Sequence, residues 1–481
     1  MARSGSATRA TLVLVLLLAL VAGGVAVVRY DPFGWLDGDD AAGPADDPAT
    51  IEAPEGVDAP EVTPPGPVAA PATPRPDVDA AAVREAVAPY LADRKLGRHV
   101  LAEVAPLAGG EPVFVQGRDT AIPASTTKVV TSTAALLALG PDHVFTTQVR
   151  AAGRGRVVLV GGGDPFLERA DVDEAGLAWP YPARATLDDL AADTAAALKA
   201  DGIGRVRLDF DDTLFTGPAE NPRWEPGYIT TEEVAPISAL WVDEGRERTG
   251  AGRVADPAAE AAASFAEALV AAGVRVVGTP RRRAAGEGRV LASVDSAPLA
   301  GIVERILDVS DNEGAETLLR HVGLAVEGDG STEAGRRGVR SLLAEQGVRM
   351  GPSVFYDGSG LSRQNRADPS FLVDVLRLAA SDDQPDLRPV ISGLPVAGFT
   401  GSLADRMDQG PRAGLGRVRA KTGTLGNVSS LAGLATDLDG NVLVFVLMAD
   451  RVREANELDA RVAQDSAAAA LGACRCSGRR S

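Results

Sequence analysis

The sequence predicts an α+β fold: an antiparallel five-stranded sheet with helices on both faces, interrupted by a smaller inserted domain. Two strand-like runs at 99–107 and 112–116 meet through Gly109-Gly110, a hairpin signal. Three more, at 417–425, 428–437 and 441–449, close the chain, the last two joined through Asp439-Gly440, a favoured hairpin turn. Helical patterns and a separate strand–helix–strand section lie between the two sets. The main sheet is therefore expected to draw its strands from both ends of the chain.

The 481-residue chain opens with an uncharged, mostly apolar run over residues 11–28. As a helix this run would be about 27 Å long, close to the ~30 Å hydrocarbon core. Arg3 and Arg9 precede it, which keeps the N-terminus cytoplasmic and sends the remainder outside. Residues 1–30 read as a membrane anchor; Gly24-Val25-Ala26 makes a cleaved signal peptide the alternative. Both place the bulk of the protein outside the cytoplasm, at the cell surface or secreted. Residues 31–79, rich in Pro, Ala and Asp, bury too little apolar surface to order and read as an extended linker.

The segment 80–145 carries a helix to about Leu91, the first two strands, and a helix from Pro123 to Gly140. An inserted domain is expected over 146–249, with strands at 156–160 and 206–210 and a helix at 187–199. Its Gly161-Gly162-Gly163 lacks the following lysine or helix-opening pattern of a phosphate cradle and reads as a tight turn. The segment 250–477 resumes with an alanine-rich helix to about Ala272 and a strand at 274–277. Helices at 298–307, 313–326 and 335–346, the three closing strands and a final helix over 454–471 follow.

Composition excludes several functions. With 66 acidic and 48 basic residues, net charge −18, the chain is not a nucleic-acid binder, because that binding neutralises phosphates. Arg281-Arg282-Arg283 reads as a solvated loop. The two cysteines, Cys474 and Cys476, provide neither a disulfide framework nor a spaced metal site and read as a pair of tail cysteines. The three histidines have no Gly-x-Ser-x-Gly elbow beside them, which argues against a serine–histidine triad. No cofactor and no metal is expected.

Lysine usage is the sharpest clue. The only lysines are Lys95, Lys128, Lys199 and Lys421. Under such an arginine bias, a position that stays lysine can need a cation able to lose its proton. Lys95 reads as a surface residue and Lys199 as a helix C-terminal charge. Lys128 lies three residues after Ser125, so on a helix the hydroxyl and the amine share a face, a nucleophile beside a base.

Two further motifs complete the pattern. Ser310-Asp311-Asn312 follows Ser125 by 185 residues, and Lys421-Thr422-Gly423-Thr424 opens the closing strands 111 residues later. Each alone has a plain structural reading, a helix cap and a strand end. Ser-x-x-Lys, Ser-Asp-Asn and Lys-Thr-Gly in that order are the set shared by penicillin-binding proteins and class A β-lactamases. Over residues 78–471 the sequence resembles the class C low-molecular-weight penicillin-binding proteins, D-alanyl-D-alanine carboxypeptidases and endopeptidases. Gly162-Gly163-Asp164-Pro165, Glu313-Gly314-Ala315-Glu316, Asp357-Gly358-Ser359-Gly360-Leu361-Ser362-Arg363 and Leu394-Pro395 add to the likeness. Gly401-Ser402-Leu403 has serine where the resemblance suggests threonine.

The resemblance implies a penicillin-binding or serine β-lactamase-like catalytic domain that cleaves peptidoglycan stem peptides through an acyl-enzyme on Ser125 and is acylated by β-lactam antibiotics. Lys128 would be the base, kept neutral by desolvation and by the charge of Lys421. Ser310 would relay the proton to the leaving D-alanine and Asn312 would hold the substrate amide. Lys421 and Thr422 would bind the terminal carboxylate, and Gly423 and Thr424 would complete the substrate-binding stretch. The backbone N–H groups of Ser125 and Thr424 would meet the oxyanion. A serine β-lactamase is the nearest alternative, and the 185-residue spacing of the first two motifs argues against its compact layout. An inert wall-binding module is the alternative of another class.

Overall fold

The computed structural model describes residues 78–153, 155–170, 181–249 and 251–477. The expected anchor and nearly all of the expected linker lie outside them. Among the described residues no helix is long and apolar enough to cross a membrane.

The chain begins with α1 (Ala80–Leu91), N-capped by the Asp79 carboxylate. Strands β1 (Val100–Pro106) and β2 (Phe114–Gln116) follow. A 3-10 turn, Ala124–Thr126, leads into α2 (Thr127–Leu139), which Gly140 ends with φ 82°. Then come β3 (Thr146–Ala151), β4 (Arg156–Val160), α3 (Leu187–Ala200) and β5 (Arg205–Asp211). Helix α4 (Pro257–Ala271) carries proline in its first turn and Asp256 as its cap. Strands β6 (Arg275–Val276), β7 (Arg281–Arg282) and β8 (Val290–Asp295) come next. The helices α5 (Leu299–Val309), α6 (Asn312–Glu327), α7 (Thr332–Glu345), α8 (Pro369–Ala379) and the short α9 (Arg388–Ser392) form a layer. The chain closes with β9 (Val418–Leu425), β10 (Val428–Thr436), β11 (Val442–Ala449) and α10 (Glu457–Gly472).

The first sheet has the order β2-β1-β11-β10-β9, all antiparallel, with both early strands and all three late ones as expected. Alternation along β11 builds two cores. Val444, Val446 and Met448 face α2 and the helical layer, while Leu443, Phe445, Leu447 and Ala449 face α1 and α10. The serine-bearing helix α2 shares one core with this face of the sheet. Its residues from Thr127 to Leu136 are all buried, so α2 is a central helix packed by α6, α7, α8 and α5; the 3-10 turn before it rests on β9 and β10.

The second sheet runs β6-β5-β4-β3-β8, with β7 paired to β5. It takes strands from Thr146 to Asp295, so the chain does not return to the first sheet at residue 250. β8 escaped the sequence reading because its side chains are exposed or half-buried, leaving no apolar alternation. Arg281 and Arg282 form a short strand rather than a loop; Arg282 and Arg283 pair with Asp212, Asp256 and Asp209. At the C-terminus the two cysteines are not separate tail thiols. Cys474 and Cys476 are joined in a disulfide, and the carbonyl of Cys476 accepts from the Asp79 amide at 2.7 Å.

Candidate active site

The site is built around the Ala124–Ser125 peptide. Ala124 has φ 47°, a left-handed conformation that costs an L residue of order 1–3 kcal/mol and persists only where surroundings enforce it. Two glycines do so. A Cβ on Gly360 would lie 1.9 Å from the Ala124 carbonyl oxygen, and one on Gly423 would lie 2.6 Å from that of Pro123. Ser430, opposite Gly423 in the β9–β10 pair, donates its hydroxyl to the Pro123 carbonyl at 2.5 Å. The turn that carries Ser125 is thus closely packed from two sides.

Lys128 lies in the first turn of α2 with no exposure, and its amine reaches three acceptors. They are Ser125 Oγ at 2.9 Å, Asn312 Oδ1 at 2.7 Å and the Ser359 carbonyl at 2.7 Å. Burial lowers its pKa to about 8, against the pull of Asp311, Asp357, Glu316 and Glu313, which favour the charged form. Desolvation is therefore what brings the amine near neutrality.

Ser310 and Asn312 flank the junction of α5 and α6. Ser310 caps α5 in a left-handed conformation, φ 66°, and among the described residues its hydroxyl has no hydrogen-bond partner. Asp311 caps α6, accepting from the Gly314 amide at 2.6 Å, so the capping reading holds for this residue. Asn312 binds Lys128 through its oxygen and donates its Nδ2 to the Glu233 carbonyl at 2.7 Å. Its amide is engaged within the protein.

β9 is an edge strand. Lys421 and Gly423 alternate onto one face, the one where Gly423 meets the serine turn. Lys421 has no exposure; its amine donates to the Thr422 carbonyl at 3.0 Å, and burial followed by repulsion from Lys128 holds its pKa well below the usual lysine range. The Thr422 hydroxyl meets that of Ser402 at 2.9 Å, so the serine at 402 belongs to the site. The Val418 carbonyl and Ala420 amide point outward, to Ala397 and Pro395. By alternation Thr422 and Thr424 turn their backbone groups to the same open side.

Sequence reasoning assigned no role to Ser359, Gly360 or Glu316. The stretch 357–363 carried a likeness but no chemistry, since its part lies in backbone groups. Three carboxylates outside the catalytic set, Glu244, Asp311 and Glu313, bring oxygens within 4.8 Å of one another, an arrangement able to hold a cation. Arg246 and Arg253 already pair with Glu244 and Glu313, at 2.8 and 3.1 Å.

A serine against a buried lysine, with a second serine and a second lysine around it on a five-stranded sheet flanked by helices, defines an active-site-serine hydrolase of the acyl-enzyme type. The model of the D-Ala-D-Ala carboxypeptidase 3 (S13) family matches residues 83–251 and 246–471, and the chain belongs to that family. It is 34% identical over 409 residues to Carboxypeptidase Rv3627c of Mycobacterium tuberculosis, covering 82% of this chain and 85% of that one. It is 34% identical over 436 residues to Carboxypeptidase DacB of Mycolicibacterium smegmatis, covering 87% and 92%. The D-alanyl-D-alanine carboxypeptidase of an Actinomadura species is 31% identical over 424 residues, covering 70% and 74%. The crystal structure of penicillin binding protein 4 from Haemophilus influenzae superposes with a TM-score of 0.63 at 22% identity, over 78% of this chain and 94% of that one, and shows the shared fold.

Proposed function

We propose that the protein is a serine-type D-alanyl-D-alanine carboxypeptidase that acts on peptidoglycan stem peptides and is acylated on Ser125 by β-lactams. The contact between a wholly buried Lys128 amine and Ser125 Oγ at 2.9 Å carries the reading. Neutral Lys128 takes the Ser125 proton as the oxygen attacks the carbonyl of the penultimate D-alanine. The oxyanion is met by the N–H groups of Ser125 and Thr424, the second lying on the open side of β9. Ser310, whose hydroxyl has no hydrogen-bond partner among the described residues, passes the proton to the departing amine. Lys421 and Thr422 take the free carboxylate. Its negative charge sits beside the Lys421 amine, so binding favours the proton that burial disfavours. Asn312 orients Lys128 and, by giving up its bond to Glu233, holds the substrate amide. Water then cleaves the acyl-enzyme.

Labelling with a fluorescent penicillin, native protein beside Ser125→Ala, tests the acylation centre. Labelling of the native protein alone is expected; equal labelling of the variant refutes it. Release of D-alanine from a peptide ending in D-Ala-D-Ala tests the activity. The reaction is placed outside the cytoplasm, in keeping with the Cys474–Cys476 disulfide. Tethering through residues 11–28 is tested by whether the full chain stays with membranes after a salt wash. The inserted domain is assigned to residues 146–295, the segment that supplies the second sheet.

A further inference from the structure

One buried carboxylate beside the site is used by none of these steps. Glu316 lies one turn along α6 from Asn312, on the same face, and is 1% exposed. Its Oε1 accepts the amides of Gly358 and Ser359 at 2.9 and 2.8 Å. A charge buried this deeply is tolerated only when such donors replace water. The other side of the same segment is held by α2: the Ser359 carbonyl accepts from Lys128 at 2.7 Å, and the Gly358 carbonyl accepts from Thr131 Oγ1 at 2.8 Å. Residues 358–359 are therefore stitched by their N–H groups to α6 and by their C=O groups to α2. Asp357 fixes the far end, accepting from Gly360, Ser362, Asn365 and Trp224.

We propose that Glu316 is a positioning residue for acylation: it holds the Ser359 carbonyl against the Lys128 amine and so aims that amine at Ser125. This rests on the reading of Ser125 and Lys128 as nucleophile and base. With Asn312 and Ser359 fixed, the amine has one remaining direction, toward the serine. Glu316 also acts through charge. Burial first, and Asp357 next, raise its pKa to about 7, and in its charged form it raises the pKa of Lys128. The carboxylate therefore holds that proton on. The other charged groups facing this network are Asp311 and Glu313 at the start of α6, Arg320 further along it, Asp357 in the loop and Lys421 on β9.

Two variants separate the roles. Glu316→Gln keeps the accepting oxygen and removes the charge; Glu316→Ala removes both. The pH dependence of acylation by a fluorescent penicillin is measured for each, with Ser125→Ala as a control and melting temperatures alongside. For Glu316→Gln the acid limb is expected to move down by about half a unit to one unit, with the plateau rate retained. For Glu316→Ala the plateau is expected to fall about tenfold or more at every pH. If the Gln profile superimposes on the native one and the Ala variant acylates at the native rate, whatever its melting point, Glu316 is merely structural. In that case Ser125→Ala still fails to label. Labelling of Ser125→Ala would instead overturn the reading beneath.

Discussion

Replacing Gly360 with alanine tests whether backbone contact holds the nucleophile turn. Gly360 has φ 91°, and its new Cβ would stand 1.9 Å from the Ala124 carbonyl oxygen and 3.0 Å from the Ser125 nitrogen. Ordinary contact begins at 3.4 Å, so loop and turn must part by about 1.5 Å. Displacing a reacting group by about 1 Å costs on the order of 100-fold in rate. The left-handed backbone adds about 2 kcal/mol of strain. For a folded unit of roughly 400 residues that strain lowers Tm by about 2–3 °C. Acylation by a fluorescent penicillin should therefore slow about 100-fold while the melting point falls only a few degrees. Gly347→Ala is the control: its φ is 79° with no atom within 4 Å of the added carbon, so it should lose stability and keep its acylation rate. Native-rate acylation by Gly360→Ala would refute the reasoning.

Three further outcomes are expected. Native acylation should rise as pH climbs through about 8, because Lys128 must be neutral to take the serine proton; a flat profile across that value would exclude it as the base. Lys421→Ala should cut kcat/KM for a peptide with a free C-terminal carboxylate by about 10–100-fold and affect its C-terminal amide far less, since the loss is a charge-assisted contact. His321, buried and stacked on Phe145 at 4.0 Å, has its pKa lowered by burial from 6.5 to about 4. The unfolded chain binds that proton first, so stability is intact above 6.5 and declines as pH falls toward 4, by about 3 kcal/mol in all. Melting curves of His321→Gln should show a shallower acid slope; an unchanged slope would count against this origin.

The parts legible in the sequence are those that depend on residue type. Lys128 and Lys421 stood out because arginine, which cannot give up a proton, fills nearly every other basic position. The closing strands were readable because β10 and β11 are apolar on both faces and turn at Asp439-Gly440. What stayed hidden depends on distant backbone. Ser359 binds Lys128 through a carbonyl, a group every residue carries, and the need for glycine at 360 follows from a peptide more than 200 positions away. α8 was missed although it buries Phe371, Leu372, Val375 and Leu376, because Pro369 in its first turn had been given no helix-start reading. The strand at 274–277 was read, but its place in the second sheet past residue 249 was not, because β7 is two residues long and β8 is solvated.

The way the second sheet enters and leaves the chain bears on folding. Phe145 and Ser296 lie side by side: the Ser296 amide donates to the Phe145 carbonyl at 3.0 Å, and the Phe145 amide donates to Ser296 Oγ at 2.9 Å. From there β3 and β8 run antiparallel as neighbours. The first sheet and its helices must join segments separated by about 150 residues of intervening chain, a closure that costs a floppy loop about 4 kcal/mol plus a constant. Once folded, the intervening segment presents both of its ends at one point and lifts that entropy from the rest. The strand pair closes that loop as a clasp, doing through backbone bonds what a cross-link does through sulfur.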